Sequence, residues 1–286
     1  MRLHRLGSLL VCAALAACLA GNAWAASSDA VSAGEARVRL LVSGNSDTNS
    51  APVFRGGVEV ALSPGWKTYW RYPGDAGIPP RFDWSGSENV TKVEVLYPAP
   101  KRIVDGSGQI SIGYEQSVIF PLRIHAADPA KPIRLNLKLN FATCEKLCIP
   151  AEASLSLAFA ADASHEASLD EAEKRVPVRI GATDSPSLAI FRAEVMRGKQ
   201  PDGSDSRIIV TVETKLPNMA MAELFAEGPG EEWTLSLPGL LTGGAPWLTF
   251  DIPLQGSRLG SNDAPPKLRL TFVAGGQAVE IELPLD

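Results

Sequence analysis

Two closely spaced cysteines in FATCEKLCIPAE, Cys144 and Cys148, are the side chains of this sequence best suited to covalent chemistry. A thiol pair can close a disulfide, and an accessible pair can exchange with the thiols of a partner. If the chain ran straight between them, four residues at ~3.3 Å each would separate the Cα atoms by about 13 Å, far beyond the ~7 Å a disulfide tolerates. Pairing therefore needs the chain to turn back. Polar Glu145-Lys146 with Pro150 close behind fits a tight loop or a single helical turn. A purely structural disulfide is the plain reading, but so small a ring is a weak staple, because loop-closure stabilisation grows with the number of residues enclosed. Lys146 favours a neighbouring thiolate and Glu145 opposes it. The three-residue interval also differs from the two-residue spacing of thioredoxin-like sites.

A second concentration of features is PGWKTYWRYPGDAGIPPRFDW, residues 64 to 84, which holds Trp66, Tyr69, Trp70, Tyr72, Phe82 and Trp84 around Gly74, Gly77, Pro79 and Pro80. These aromatics either close a core behind a rigid crossover or line a protein-docking surface, where Trp, Tyr and Arg are common anchors. Arg71 and Asp75 either pair across the turn or face water. Tyr114 and Glu115 read as surroundings of a site rather than as acid and base. His125 and His165 have no ligand cluster beside them, which argues against zinc. A minority Cu(I) reading joins Cys144 and Cys148 to soft Met219 or Met221, against the plainer reading that these methionines pack into a core. Hydrolase elbows, zinc-protease helices, phosphate-cradling loops and dinucleotide fingerprints are absent from the sequence, so neither a cofactor nor a metal site is assigned.

The elements that must carry these residues have period two. In IRLNLKLNF, residues 133 to 141, Ile133, Leu135, Leu137, Leu139 and Phe141 alternate with polar residues and place one apolar face on a strand that ends just before Cys144. Further strands are expected at 36–42, 54–61, 66–72, 91–97, 117–125 and 155–159, and beyond a break at 207–213, 233–237, 247–252, 268–272 and 279–283. Residues 187–195 fit helix or strand equally. Ala274-Gly275-Gly276-Gln277 marks a terminal hairpin. The break is 162–176, DASHEASLDEAEKRV, in which Ser168 and Glu171 form a capping box for a short helix that Pro177 stops. The expected fold is all-β, with two antiparallel β-sandwich domains in tandem: residues 33–163 with the cysteine pair, a linker at 164–178, and residues 179–286.

Arg2, Arg5 and the apolar run LGSLLVCAALAACLA read as a secretory signal, with Ala23-Trp24-Ala25 supplying small residues for cleavage after Ala25. A rival reading takes Leu15-Ala16-Ala17-Cys18 as a lipoprotein signal that tethers the chain through Cys18. With 1–25 removed as signal peptide, only Cys144 and Cys148 of the four cysteines remain, in an oxidising compartment. The 286 residues carry a formal charge of −5 and no long basic run, which excludes a nucleic-acid surface, and no later stretch reaches membrane-spanning length without charges.

The tryptophan-rich segment, the YEQSVIFPLRI strand and FATCEKLCIPAE, in this order, resemble the periplasmic N-terminal domain of the thiol:disulfide interchange protein DsbD, most closely the amino-terminal region of its ScsB-type (suppressor of copper sensitivity) branch. The resemblance covers about 35 to 160. It implies an immunoglobulin-like fold for both units, a soluble location in the periplasm of a Gram-negative bacterium, and thiol–disulfide exchange through a mixed disulfide. Cys144 and Cys148 are the catalytic residues it implies, since Cys148-Ile149-Pro150-Ala151-Glu152 matches the family's Cys-x-Pro-Pro-Glu ending. Two departures stand out: the cysteine interval is shorter than the family's five residues, and 104–111, where the family has an aromatic cap, has no aromatic. Shielding is then either weak or supplied by Tyr114 or by the tryptophan-rich segment. The sequence encodes neither a membrane electron conduit nor a thioredoxin-like domain, so the implied partners are exported thiol–disulfide exchange proteins and a separately encoded membrane reductase.

Overall fold

The computed structural model describes residues 26–45, 53–74, 77–105, 108–160, 167–181, 189–196, 206–214, 221–230, 233, 235–244, 246–254 and 267–285. The signal segment, Cys12, Cys18, Asp75, His165 and Met219 lie outside them. The first eleven strands are β1 (Val31–Ala33), β2 (Ala36–Asn45), β3 (Val53–Leu62), β4 (Lys67–Gly74), β5 (Arg81–Asp83), β6 (Val90–Val95), β7 (Lys101–Val104), β8 (Ile110–Glu115), β9 (Ser117–Ala126), β10 (Ile133–Cys144) and β11 (Cys148–Phe159). After helix α1 (Ala167–Glu173) come β12 (Val178–Arg179), β13 (Ala189–Met196), β14 (Arg207–Thr214), β15 (Glu223–Glu227), β16 (Gly239–Gly244), β17 (Trp247–Pro253), β18 (Lys267–Ala274) and β19 (Gln277–Pro284).

These strands form four sheets in two pairs. The first pair is β1-β2-β3-β9-β6 facing β11-β10-β4-β8-β7, with β5 added on β10; the second is β12-β19-β18-β15 facing β13-β14-β17-β16. All pairings are antiparallel except that of β12 with β19. The tandem β-sandwich architecture expected from the alternating pattern is therefore the one observed. Ile133, Leu135, Leu137, Leu139 and Phe141 of β10 interlock with Val38, Leu40, Val58 and Phe120 of the opposite sheet in one buried core. A second core gathers Ile208, Val210, Leu248, Phe250, Leu270 and Phe272. The ambiguous segment 187–195 supplies strand β13. In the terminal hairpin Ala274 pairs with Gln277 across Gly275 and Gly276, both at positive φ, as a two-residue hairpin turn requires.

Three expectations change. Trp233 and residues 235–237 form no strand, although Trp233 and Leu235 are buried as the alternation suggested. A tyrosine stands in for a neighbouring strand: Tyr72 Oη donates to Leu235 O at 2.9 Å and accepts from Leu235 N at 3.0 Å, so both backbone groups are satisfied without a sheet. Ser168 lies inside the first turn of α1, which begins at Ala167, and so is not its N-cap. Helix α1 also packs on the first sandwich rather than hanging between the two. Leu169 fills the space left by Gly57, where a Cβ would come within 2.6 Å of it, while Arg55 binds Asp170 and Glu173, and Arg123 binds Glu173.

The two sandwiches are bonded to each other through β4 and β7. Arg71 does form an ion pair, but with the second sandwich: its guanidinium binds Glu227 at 2.6 and 2.9 Å, also binds Glu280, and lies 4.4 Å over the Trp70 ring. Trp70 itself meets Phe225, with ring centroids 5.7 Å apart. Arg102 donates to Leu224 O at 3.0 Å and Pro238 O at 2.6 Å. Most of the aromatic segment thus serves the cores and this interface, as Trp70, Tyr72, Phe82 and Trp84 all join the first core.

Two outcomes are expected. Arg71→Ala leaves two carboxylates partly buried without their cation and should destabilise the chain by about 3 kcal/mol in urea unfolding. Burial pushes the Glu173 carboxyl up, but hydrogen bonds from Arg123 and Arg55 outweigh it and hold the group below its ordinary range. Its contribution is therefore present above the unfolded value and is lost as pH falls through the folded one. Glu173→Gln should accordingly show a smaller loss of thermal stability than the unsubstituted chain from about pH 5 to about pH 3.

Candidate functional site

Strand β10 ends at Cys144, three residues turn, and β11 begins at Cys148, so the chain does reverse between the cysteines, as a loop and not a helical turn. The two strands pair over twelve registers from Ile133↔Phe159 to Cys144↔Cys148. The last register sets the cysteine Cα atoms 4.2 Å apart, and their sulfurs are joined in a disulfide. The two cysteines are unequal: Cys144 is 1% exposed, whereas Cys148 belongs to the exposed run 145–150. Leu147 (74% exposed) and Ile149 (37%) flank Cys148 with apolar surface.

The burial of Cys144 has a local cause. Along β10 the outward-facing Arg134, Lys138 and Asn140 are exposed, but Ala142 and Cys144 on the same face are buried. Tyr69 covers them in a small apolar cluster. It is 2% exposed, and its hydroxyl lies 2.9 Å from Cys144 Sγ and 3.0 Å from Cys148 Sγ. Only the phenol carries a hydrogen, so it donates and is shared between the sulfurs. Burial, then the charge of Asp105, pushes the Tyr69 pKa up, which keeps the group a donor at neutral pH. A disulfide sulfur accepts weakly and a thiolate strongly, so this bond strengthens as the disulfide opens.

Strand β4 delivers Tyr69 by pairing with both neighbours: Lys67 stands opposite Cys144 of β10 and Glu115 of β8, and Tyr69 opposite Gly113. Gly77 seals the ring from outside at φ +144, and a Cβ there would fall 2.4 Å from Tyr69 Cε1. The same face carries a buried cation, Lys67, whose Nζ donates to Ser111 Oγ at 2.9 Å.

Of the residues singled out in the sequence, Cys144 and Cys148 come together, and from the tryptophan-rich segment Tyr69 joins them. Tyr114 does not, since its hydroxyl is turned into the fold and donates to Pro98 O at 2.8 Å. Glu115 is exposed opposite Lys67, and His125 lies on β9, 3.9 Å from Glu94. Met221 is exposed just before β15, in the second sandwich. Sequence reasoning missed the contact of Tyr69 with both sulfurs and the burial of Lys67 on the same face. The available signal was the spacing Lys67-x-Tyr69, which puts both on one face of a strand.

Gly77→Ala should displace the Tyr69 ring, cost about 1–3 kcal/mol of stability, and expose Cys144. Urea unfolding would read the first effect, and faster alkylation of Cys144 in the reduced protein the second. Unchanged stability and alkylation would mean that Gly77 does not hold the ring.

Residues 43–160 match the family model described as thiol:disulfide interchange protein DsbD, N-terminal. The N-terminal periplasmic domain of ScsB from Proteus mirabilis is similar in fold, with a TM-score of 0.68 and 20% identity, over 91% of this chain and 98% of that one. No curated protein sequence gives a significant match. Over residues 43–160, the sandwich that carries Cys144, Cys148 and Tyr69 is similar to the DsbD N-terminal family.

Proposed function

We propose that this chain is a periplasmic thiol–disulfide exchange module in which Cys144 and Cys148 are the catalytic pair. The observation that carries the reading is the unequal exposure of the two cysteines, Cys148 an exposed residue of the turn and Cys144 buried beneath Tyr69. In the reduced protein the Cys148 thiolate attacks a partner disulfide, forms a mixed disulfide and releases one partner thiolate. The Cys144 thiolate then attacks Cys148 Sγ, re-forms the intramolecular disulfide and releases the second partner thiolate. The pair loses two electrons, the partner gains them, and protons from solvent complete the partner dithiol. A dithiol protein that attacks Cys148 drives the same steps backwards and reloads the pair. The partners are exported thiol proteins on one side and a separate membrane reductase on the other, with Leu147 and Ile149 offering apolar contact around the attacked sulfur. The two domains of this reading are 33–163 and 179–286, joined by 164–178.

Trapping tests it. Cys144→Ser should accumulate a mixed disulfide through Cys148 with a partner protein supplied in its disulfide form, and Cys148→Ser should accumulate far less, as read by non-reducing electrophoresis and mass spectrometry. Absence of any adduct from Cys144→Ser, together with a pair that glutathione cannot reduce, would make the disulfide structural.

A further inference from the structure

Strand β4 leaves its ladders immediately after Tyr69. Tyr69 pairs with Gly113 of β8 and Gly74 with Ser111, so Trp70, Arg71, Tyr72 and Pro73 are set against Ile112 alone. On the other side, β10 shares with β4 only the register of Cys144 and Lys67. The result is a long bulge, a device that sheets use beside active sites to aim a side chain. The side chains of this bulge reach the second sandwich one after another. Trp70 meets Phe225, Arg71 binds Glu227 and Glu280, and the Tyr72 hydroxyl bonds both backbone groups of Leu235. Gly77, just beyond the bulge, lies against the Tyr69 ring. The tyrosine whose hydroxyl reaches both sulfurs is therefore flanked by a regular ladder before it and a clamped bulge after it.

We infer that the second sandwich is a positioning element for thiol–disulfide exchange, and that Arg71 and Tyr72 are the positioning residues through which it holds the Tyr69 hydroxyl on the cysteine pair. This inference rests on the reading of the pair as exchange-active. When a partner thiolate attacks Cys148 Sγ, a bond forms between those two sulfurs, the Cys144–Cys148 bond breaks, and its electron pair leaves on Cys144. The Tyr69 hydroxyl donates a hydrogen bond to that leaving thiolate, a stronger bond than the one it makes to the neutral disulfide. Its help therefore falls on the step in which the disulfide opens. Misplacing such a group by about 1 Å forfeits much of its effect. Arg71 and Tyr72 act only through Tyr69, by fixing the backbone that follows it.

Reduction of the disulfide by dithiothreitol at neutral pH tests the inference in the full chain. Tyr69→Phe removes the hydroxyl and should slow reduction several-fold. Arg71→Met and Tyr72→Phe should each slow it as well, and adding either to Tyr69→Phe should slow it little further, because all three changes act through one hydroxyl. A long-range effect of the lost Arg71 charge would add in full instead. A merely loosened fold gives the opposite sign, since local opening speeds reduction. Arg55→Met is the control: it breaks the bonds to Asp170 and Glu173 on the other sheet, and should lower stability in urea with the reduction rate unchanged. Tyr72→Phe changes no charge and removes only the bonds to Leu235, so it carries the test if Arg71→Met fails to fold. Folded variants reduced as fast as the unsubstituted chain or faster, or slowed in full addition to Tyr69→Phe, overturn the inference, as does a Tyr69→Phe protein reduced at the unsubstituted rate. If Cys144→Ser traps no partner while the coupled slowing is present, the exchange reading fails and the hold of the second sandwich on Tyr69 stands.

Discussion

Strand β4 has water on neither face where it passes the disulfide: Lys67, Thr68, Tyr69 and Trp70 are all buried. The inward side needs a core residue and receives Trp70. The outward side would ordinarily be wet in an antiparallel sandwich and here holds Tyr69, which covers the sulfurs, and Lys67, which reaches across to Ser111. That double burial closes the outward face of the strand beside Cys144, where the Tyr69 hydroxyl reaches both sulfurs with little competition from solvent. It also explains why Cys144 and Ala142 depart from the exposed pattern of the outward residues earlier on β10.

The second sandwich grips the same strand just beyond Tyr69. Arg71 is pushed below its ordinary pKa by burial and more than restored by Glu227 and Glu280, so it stays charged at the interface. Burial likewise pushes the nearby Tyr97 phenol up to about 12, with Arg71 opposing. Buried ion pairs of this kind add little net stability over apolar packing, but they tolerate few alternative arrangements. With Tyr72 bonded to Leu235 and Arg102 to two backbone carbonyls, the two sandwiches meet through directional bonds rather than through apolar area alone.

The fold was legible where burial was one-sided. The alternation of Ile133 to Phe141 identified β10, and the paired glycines at 275 and 276 identified the last hairpin. It was illegible where a side chain replaced a strand, as Tyr72 does for Leu235, or where a docking surface was assembled from distant residues, as Gly57, Arg55 and Arg123 assemble one for α1. The cysteines were legible from spacing and from the turn-forming residues between them. The place of Tyr69 was not, because it depends on the single register in which Lys67 meets Cys144, and on Gly77 approaching from outside.

The ladder between β10 and β11 has a bearing on how the oxidation state is communicated. Twelve register pairs of backbone join the two strands in addition to the bond between the sulfurs. The reduced thiols remain neighbours at a very high effective concentration, so closing the ring requires almost no search. Opening it releases little chain. The backbone ladder thus fixes the shape of the hairpin, and the disulfide adds only its last and shortest link.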